Sequence, residues 1–384
     1  MQTSPYTPGE VADSVPGRAT QLAFYEEKAQ RIQNLSEFIA RVRVDYAARG
    51  VGKTSLLREA ERIFARHGIA AIWVTANQDE NLLLTVLDEL RKLVPTSKAA
   101  DVLSYIDSAT LTLDAGVVRG AVTVKPKKKD AVTAAASSSK AFIAAFENVT
   151  RVLLDEDRKG LVILIDEIQS ADKPSLRAIA YAWQEMKNSP SRVPAGLFSV
   201  GLPGSQDHIN SAVTFSERFD FSELFGLDDG GVVTALAEPA HNLGASWERT
   251  ALQMAVSEAR GYAYKVQLIG DEAWKTAGYP DPGSSITVEH LTEAMPQVEV
   301  HMETLFRSRW RSASPKQREL LSTIAELGGR DVKREDIAAR LGVTTQAISM
   351  ARDGLLRRGI IDANRHGRVS FTVPGFTEWI LAQS

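Results

Sequence analysis

Residues Ala47-Ala48-Arg49-Gly50-Val51-Gly52-Lys53-Thr54 place two glycines, a lysine and a hydroxyl where a chain can grip a polyphosphate. Gly50 and Gly52 lack Cβ, so the backbone can come close and turn its N–H groups toward anionic oxygens. Lys53 supplies a mobile cation for the outer phosphates, and the Thr54 hydroxyl can ligate Mg2+. Ala48, Arg49, Val51 and Ser55 complete the binding loop. A helix starting near Thr54 adds its positive N-terminal end. Farther along, the apolar run Leu161-Val162-Ile163-Leu164-Ile165 ends in Asp166 and Glu167. An aspartate emerging from a buried strand can hold Mg2+ through water, and the glutamate beside it can orient and deprotonate an attacking water. Acidic residues can also simply cap a strand. Here they follow the loop in order and at suitable spacing, which favours ATP binding and hydrolysis.

The flanking segments read as the elements that hold these groups. An apolar stretch at 39–46 enters the loop as a strand, and SLLREAERIFARHG (55–68) leaves it as an amphipathic helix. Further strands are expected at 69–75, 161–166 and 195–202, and helices at 19–40, 81–93, 140–157 and 173–188. This alternation predicts an α/β fold: a parallel sheet with helices on both faces, with ligands at the carboxyl ends of the strands. Residues 109–124 alternate apolar and polar positions around glycines and read as a hairpin. The basic and Ala/Ser-rich stretch 125–140 reads as a flexible loop. After residue 226 strand signals stop, and an all-α lid is expected.

Composition sets outer limits. The chain has 384 residues, 44% hydrophobic and 24% charged, enough for two or three domains with sizeable cores. With no cysteine, disulfides and thiolate metal sites are excluded, and a cytoplasmic setting is expected. No signal peptide or membrane span is expected. The net charge of −3 is uneven: from Leu305 onward there are 14 Lys and Arg against 8 Asp and Glu. That basic excess fits either an anionic partner or a solvated basic surface.

The last segment contains IAARLGVTTQAISMARDGLLRRGII, a helix-turn-helix spacing followed by two strand signals about Arg365-His366-Gly367, which together read as a winged helix-turn-helix. Ser314 and Pro315 are a good helix start. In such a module the third helix, expected at 345–358, enters the major groove of duplex DNA. Thr345, Gln346, Ser349 and Arg352 would share its exposed face, Ile348, Leu355 and Leu356 its core face, and Arg365 and Arg368 on the wing could meet phosphates. Such modules also dock proteins, and that alternative stays open.

At these motifs the chain resembles the AAA+ P-loop ATPases, and within them the origin-recognition-like and STAND-related bacterial and archaeal group. The resemblance spans roughly residues 15–300. Gly17 and Arg18 look like the segment that lies near the adenine, with Gln21 where glutamate is usual. Ser199 and Ser205 stand near the sensor 1 position. Ser216-Glu217-Arg218-Phe219 resembles the segment whose arginine acts as an arginine finger. Gly261-Tyr262-Ala263-Tyr264-Lys265 resembles the lid segment, with Ala263 in place of proline, and Lys265 as the candidate for the second sensor. The resemblance implies four parts: an extended arm at 1–16, an ATPase core at 17–226, a helical lid at 227–300 and the winged helix at 301–384. It also implies ATP and Mg2+ as cofactors and an ATP-dependent homo-oligomer. Three functions follow: a DNA-associated ATPase switch, a STAND-like signalling switch whose winged helix docks protein or autoinhibits, and a nucleotide-binding scaffold without turnover. With no fused effector domain read in the chain, output is expected to pass through a protein partner.

Overall fold

The structure is a computed structural model, described over residues 2–12, 14–94, 104, 128–189, 192–363 and 367–383. Five strands, β1 (Val42–Tyr46), β2 (Ala70–Thr75), β3 (Leu161–Asp166), β4 (Ala195–Gly201) and β5 (Phe219–Glu223), form one sheet in the order β2-β3-β4-β1-β5. Every pairing is parallel. The apolar run in β3 is buried along its whole length because both faces are covered. Ile163 and Ile165 pack with Val44, Ile72 and Leu197 on one face. Val162 and Leu164 pack with Phe198 and Val200 on the other.

Helices α1 (Ala19–Leu35) and α2 (Lys53–Arg66) cover the second face; α3 (Leu82–Lys92), α4 (Lys128–Asp155), α5 (Lys173–Asn188) and α6 (Ser205–Ala212) belong to the first. Local signals set their ends. Ser36, at φ 49°, stops α1 short of residue 40. The Asn81 and Asp172 side chains cap α3 and α5 by accepting from Leu84 N and Ser175 N. Two expectations need correction. Residues 128–140 are the start of α4, not a loop, in keeping with the high helix propensity of alanine. Strand β5 adds to the expected strands, since its sequence, FDFSE, is short and only partly apolar and gives little signal. The expected hairpin at 109–124 lies outside the described residues.

Beyond the sheet come α7 (Asp229–Asn242), β6 (Ser246–Trp247), α8 (Arg249–Ala259), α9 (Ala263–Thr276), β7 (Ser285–Ile286) and α10 (Val288–Ser312). The short parallel pair β6–β7 departs from the all-helical expectation. Helix α10 runs unbroken through residue 300. Then follow α11 (Pro315–Glu326), β8 (Val332–Lys333), α12 (Arg334–Leu341), α13 (Ser349–Arg357), β9 (Ile361–Asp362), β10 (Arg368–Phe371) and α14 (Phe376–Leu381). Strands β8, β10 and β9 form a small antiparallel sheet in that order. Ser314 caps α11 in a capping box with Gln317. The third helix begins at Ser349, four residues later than expected, so Thr345 and Gln346 lie in the turn before it.

One apolar core runs from Tyr6 through the lid to Ile380. Tyr6 is seated between Trp247 and Trp274 in edge-to-face contacts, and its hydroxyl donates to Leu236 O at 2.6 Å. The N-terminal arm is therefore anchored on the lid.

Candidate functional site

The parallel register brings the loop after β1 and the end of β3 to one edge of the sheet. Tyr46 pairs with Gly201 of β4, and the same strand pairs Ile165 of β3 with Ser199. The loop residues that follow are held by their own backbone and by neighbours. Gly50 and Gly52 have φ of 81° and 94°, the left-handed region that favours glycine. Gly52 is the N-cap of α2. Arg18, buried, donates to Val51 O at 2.9 Å and so braces the loop, while Gly17 packs against Gly231. Lys53 is also buried, and its Nζ donates to Ala48 O at 2.9 Å. Burial lowers its pKa to about 8, against the support of the Glu167 and Asp166 charges.

Thr54 Oγ1 donates to Asp166 Oδ2 at 2.9 Å. Burial pushes the Asp166 carboxyl up, opposed by this bond and by the Glu167 N–H, which reaches Asp166 Oδ1 at 2.8 Å. A hydroxyl and a carboxylate side by side are hard oxygen ligands suited to Mg2+. Among the described residues no group of three or more His, Asp or Glu forms a metal cage. Mg2+ here would rely on these two oxygens together with waters and phosphate oxygens, which is its usual habit. Glu167 is in the left-handed region at φ 53°, held by the Gln169 amide and 3.9 Å from the Arg49 guanidinium. Gln169 Oε1 in turn accepts from Leu202 N at 2.9 Å, linking Glu167 to the end of β4.

A cleft of about 460 Å3 lies over the loop, within the usual range for a small-ligand site of ~300–1,000 Å3. It is lined by loop residues Arg49 to Ser55, Arg18, Glu167, arm residues Thr7 and Gly9 to Ala12, and Tyr264 and Gln267 from beyond the sheet. Ser55 Oγ accepts from Ala12 N at 3.1 Å, tying the arm to α2. The Tyr262 hydroxyl donates to Arg49 O at 3.1 Å, and Tyr264 N donates to Gly50 O at 3.1 Å. A Cβ on Gly50 would meet the Tyr262 hydroxyl at 2.3 Å, so glycine is needed there for contact as well as for φ.

Residues 17–193 match the AAA ATPase domain. Within these residues the loop at 47–54 and the Asp166–Glu167 pair share one edge of the sheet. Residues 303–380 match a family model described as a domain of unknown function. A comparison with curated proteins finds no match. Among solved structures, the chain is similar to a Walker-type ATPase of Pyrococcus abyssi at 14% identity and a TM-score of 0.56, over 99% of each chain. It also aligns with the ORC2 protein of Aeropyrum pernix at 14% identity and a TM-score of 0.48, over 98% of this chain and 97% of that one. The Thermotoga maritima RuvB Holliday junction branch migration motor aligns at 14% identity and a TM-score of 0.46, over 95% of each. The likeness to the Pyrococcus protein is one of fold, and the fold is that of a P-loop NTPase: a five-stranded parallel sheet surrounded by helices. Among the described residues no helix is long and apolar enough to cross a membrane.

Other expected site residues are placed elsewhere. Lys265 is not brought to the loop: its ammonium pairs with Glu299 at 2.9 Å and Glu258 at 3.6 Å within the lid. Arg218 is exposed and donates to Gln184 Oε1 at 2.7 Å. It precedes Phe219, which pairs with Val42 at the start of β1, whereas the loop follows the end of β1. Five residues at ~3.3 Å each put it roughly 16 Å along the strands from its own loop. Thr345 and Gln346 are exposed. Ser349 accepts from Arg334, Arg352 pairs with Asp353 at 3.1 Å, and Arg368 pairs with Asp331 at 3.0 Å. Arg365 lies outside the described residues. Sequence reasoning missed Gln169 and Tyr262 as parts of the site. Tyr262 sits within the lid segment, but nothing local marks its hydroxyl as a loop contact.

Proposed function

We propose that this protein is an ATP-binding and ATP-hydrolysing switch, slow in turnover until a partner stimulates it, whose nucleotide state governs self-association and the engagement of duplex DNA by a C-terminal winged helix. The observation that carries the reading is the convergence of Lys53, the Thr54–Asp166 pair and Glu167 on one cleft that the lid also closes. In it Lys53, the loop N–H groups and Thr54 hold the phosphates, and Asp166 with Thr54 holds Mg2+. Glu167 takes the proton of the attacking water, and Gln169 fixes its carboxylate. The bound ion supplies charge neutralisation on the phosphates. The helix–strand–helix–helix–strand–strand order from α11 to β10 supports a winged helix, and the exposed Thr345 and Gln346 support a DNA-reading face.

A second reading has its own observation. Asp353, Leu356, Arg357 and Arg358 of the third-helix region line a cleft against Gln169, Leu202 and Asp207 of the ATPase core. On this reading the module clamps the core and docks protein, as in a STAND-like switch. ATP turnover measured with and without duplex DNA separates the two. Stimulation by DNA that weakens with salt supports the first; turnover and binding indifferent to DNA support the second. No turnover under any condition, with Lys53→Ala as the control, removes the enzymatic reading altogether.

A further inference from the structure

The turn before α13 and the first residues of that helix present a neutral face in a basic module. Gly342, at φ 67°, ends α12 and turns the chain sharply. Ala347 N donates to Thr344 O at 3.0 Å and Ser349 N to Gln346 O at 3.2 Å, so residues 344–349 wind in tight turns that lead into α13. Ile348 is buried in the apolar core of the module and fixes the orientation of this segment. Around it Val343, Thr344, Thr345, Gln346, Ala347 and Met350 are exposed, Met350 by 88%. Residues 343–350 include no charged side chain. Neutral side chains standing clear of the protein suit the edges of base pairs, whereas phosphates call for cations.

Cations flank this face instead. Lys333, Arg334 and Arg368 line a notch of about 300 Å3 together with Glu335, Thr345 and Gly367. Arg334 Nη2 donates to Thr345 O and to Ser349 Oγ, both at 3.2 Å, and Arg334 N donates to Gly367 O at 2.9 Å. One residue thus ties the start of β10 to the start of α13 and sets the notch beside the neutral face. Arg368 pairs with Asp331, and Glu335 offsets a second charge. Lys333 is exposed and makes no ion pair among the described residues. The notch therefore keeps one uncompensated cation, which is what one phosphate contact needs.

The rest of α13 is turned the other way. Asp353, Leu356, Arg357 and Arg358 line the cleft against the ATPase core. Arg352 and Asp353 are of the residue types that read guanine and cytosine, and they pair with each other at 3.1 Å. The exposed face offers the Gln346 amide, which can accept from adenine N6 and donate to adenine N7, and the aliphatic Ala347 and Met350. The thymine methyl is the apolar group on the major-groove edge of a base pair. Gln346 and Met350 are four residues apart, about one helical turn, so they reach neighbouring base pairs.

We propose that residues 343–350 read A·T base pairs in the major groove of duplex DNA: Gln346 bonds an adenine, Ala347 and Met350 lie against thymine methyls, and Lys333 with Arg334 holds the adjoining backbone phosphate. The inference rests on the duplex-DNA reading above and adds the base pairs that the module selects.

The test selects binding sites from a pool of randomised duplexes with the full chain, in Mg2+ with ADP and again with a non-hydrolysable ATP analogue, and then titrates the selected duplex by anisotropy. The selected sites should share adjacent A·T pairs. Gln346→Ala should cut the preference for adenine at one position about five- to hundredfold, the worth of one bidentate base contact. Gln346→Arg should shift that position to guanine. Replacing thymine by uracil removes only the methyl and should weaken parent binding about two- to fourfold per contacted base, the scale of one buried methyl. Met350→Ala should be less sensitive to that replacement. Lys333→Ala should weaken binding to all sequences alike and make the salt slope shallower by about one unit. Gln346, Met350 and Lys333 are exposed, so these variants leave the packed core intact. Salt-dependent binding without base preference, selected sites rich in G·C, or an A·T preference unchanged in Gln346→Ala and Met350→Ala overturns the inference and leaves the DNA reading standing. A parent that binds no duplex with either nucleotide overturns both, and the face is then one that docks protein.

Discussion

The Tyr262 hydroxyl donates to the carbonyl oxygen of Arg49 at 3.1 Å, so the lid is bonded to the phosphate-binding loop itself. Tyr262→Phe should destabilise the lid–core contact by about 1 kcal/mol, the net worth of one neutral hydrogen bond. Gly50→Ala should be worse than Gly52→Ala. Both introduce a Cβ at positive φ, at ~1–2 kcal/mol, but only the first collides with Tyr262, whereas Gly52 has open space around it. Thermal unfolding of the three variants checks the order, and a Gly52→Ala protein less stable than Gly50→Ala would contradict the contact.

Glu167→Gln should keep ATP bound and stop its hydrolysis, because an amide preserves shape but cannot accept the water's proton. Gln169→Ala should lower turnover less, leaving nucleotide affinity intact, since it frees the Glu167 carboxylate without removing it. Single-turnover kinetics alongside binding measurements make the comparison. Full activity in Glu167→Gln would assign the base elsewhere.

Asp166→Asn and Thr54→Val each remove part of the oxygen pair. Each should weaken the dependence of ATP binding on Mg2+, and a chelator should abolish turnover in the parent. Turnover that survives metal removal would exclude this placement of the ion.

Arg218 stands at the far end of β1–β5 from its own loop, so any action on phosphate must be on a neighbouring subunit. Arg218→Ala should lower turnover with nucleotide affinity unchanged, by up to ~10³–10⁵ if it acts as an arginine finger. Mixing it with Lys53→Ala should restore part of the activity, because each supplies what the other lacks. Normal turnover in the variant, or a strictly monomeric protein with ATP, would reduce Arg218 to its bond with Gln184.

Replacing Arg352 and Arg368 by Ala should make the slope of log DNA affinity against log salt shallower by about two units, at ~0.9 per phosphate contact. Each arginine must first leave its carboxylate, Asp353 or Asp331. Anisotropy titrations over a salt series give the slope. A parent without salt-dependent binding favours the clamp reading, in which the module faces the core.

Chemistry that depends on neighbours along the chain is legible in the residues themselves. The loop 47–54 and the pair Asp166–Glu167 carry their glycines, lysine, hydroxyl and carboxylates within a few residues. A buried strand announces itself as an unbroken apolar run such as Leu161–Ile165, and the alternation of such runs with amphipathic helices implies the parallel sheet. Short or weakly apolar strands such as β5 and β6 carry too few residues to show a period. The strand order is not legible either, because it depends on which edges pair across long connections. Most of the site's surroundings are decided by tertiary packing alone. Tyr262 and Arg49 are 213 positions apart, and Tyr6 lies far in sequence from the tryptophans that hold it, so no local pattern records their meeting. Lys265 shows the same limit from the other side. Its position within a motif suggests a phosphate, but the folded lid surrounds it with Glu258 and Glu299, and its charge is satisfied there. Residue types and spacing determined which chemistry the chain could perform; long-range packing decided which side chains face it.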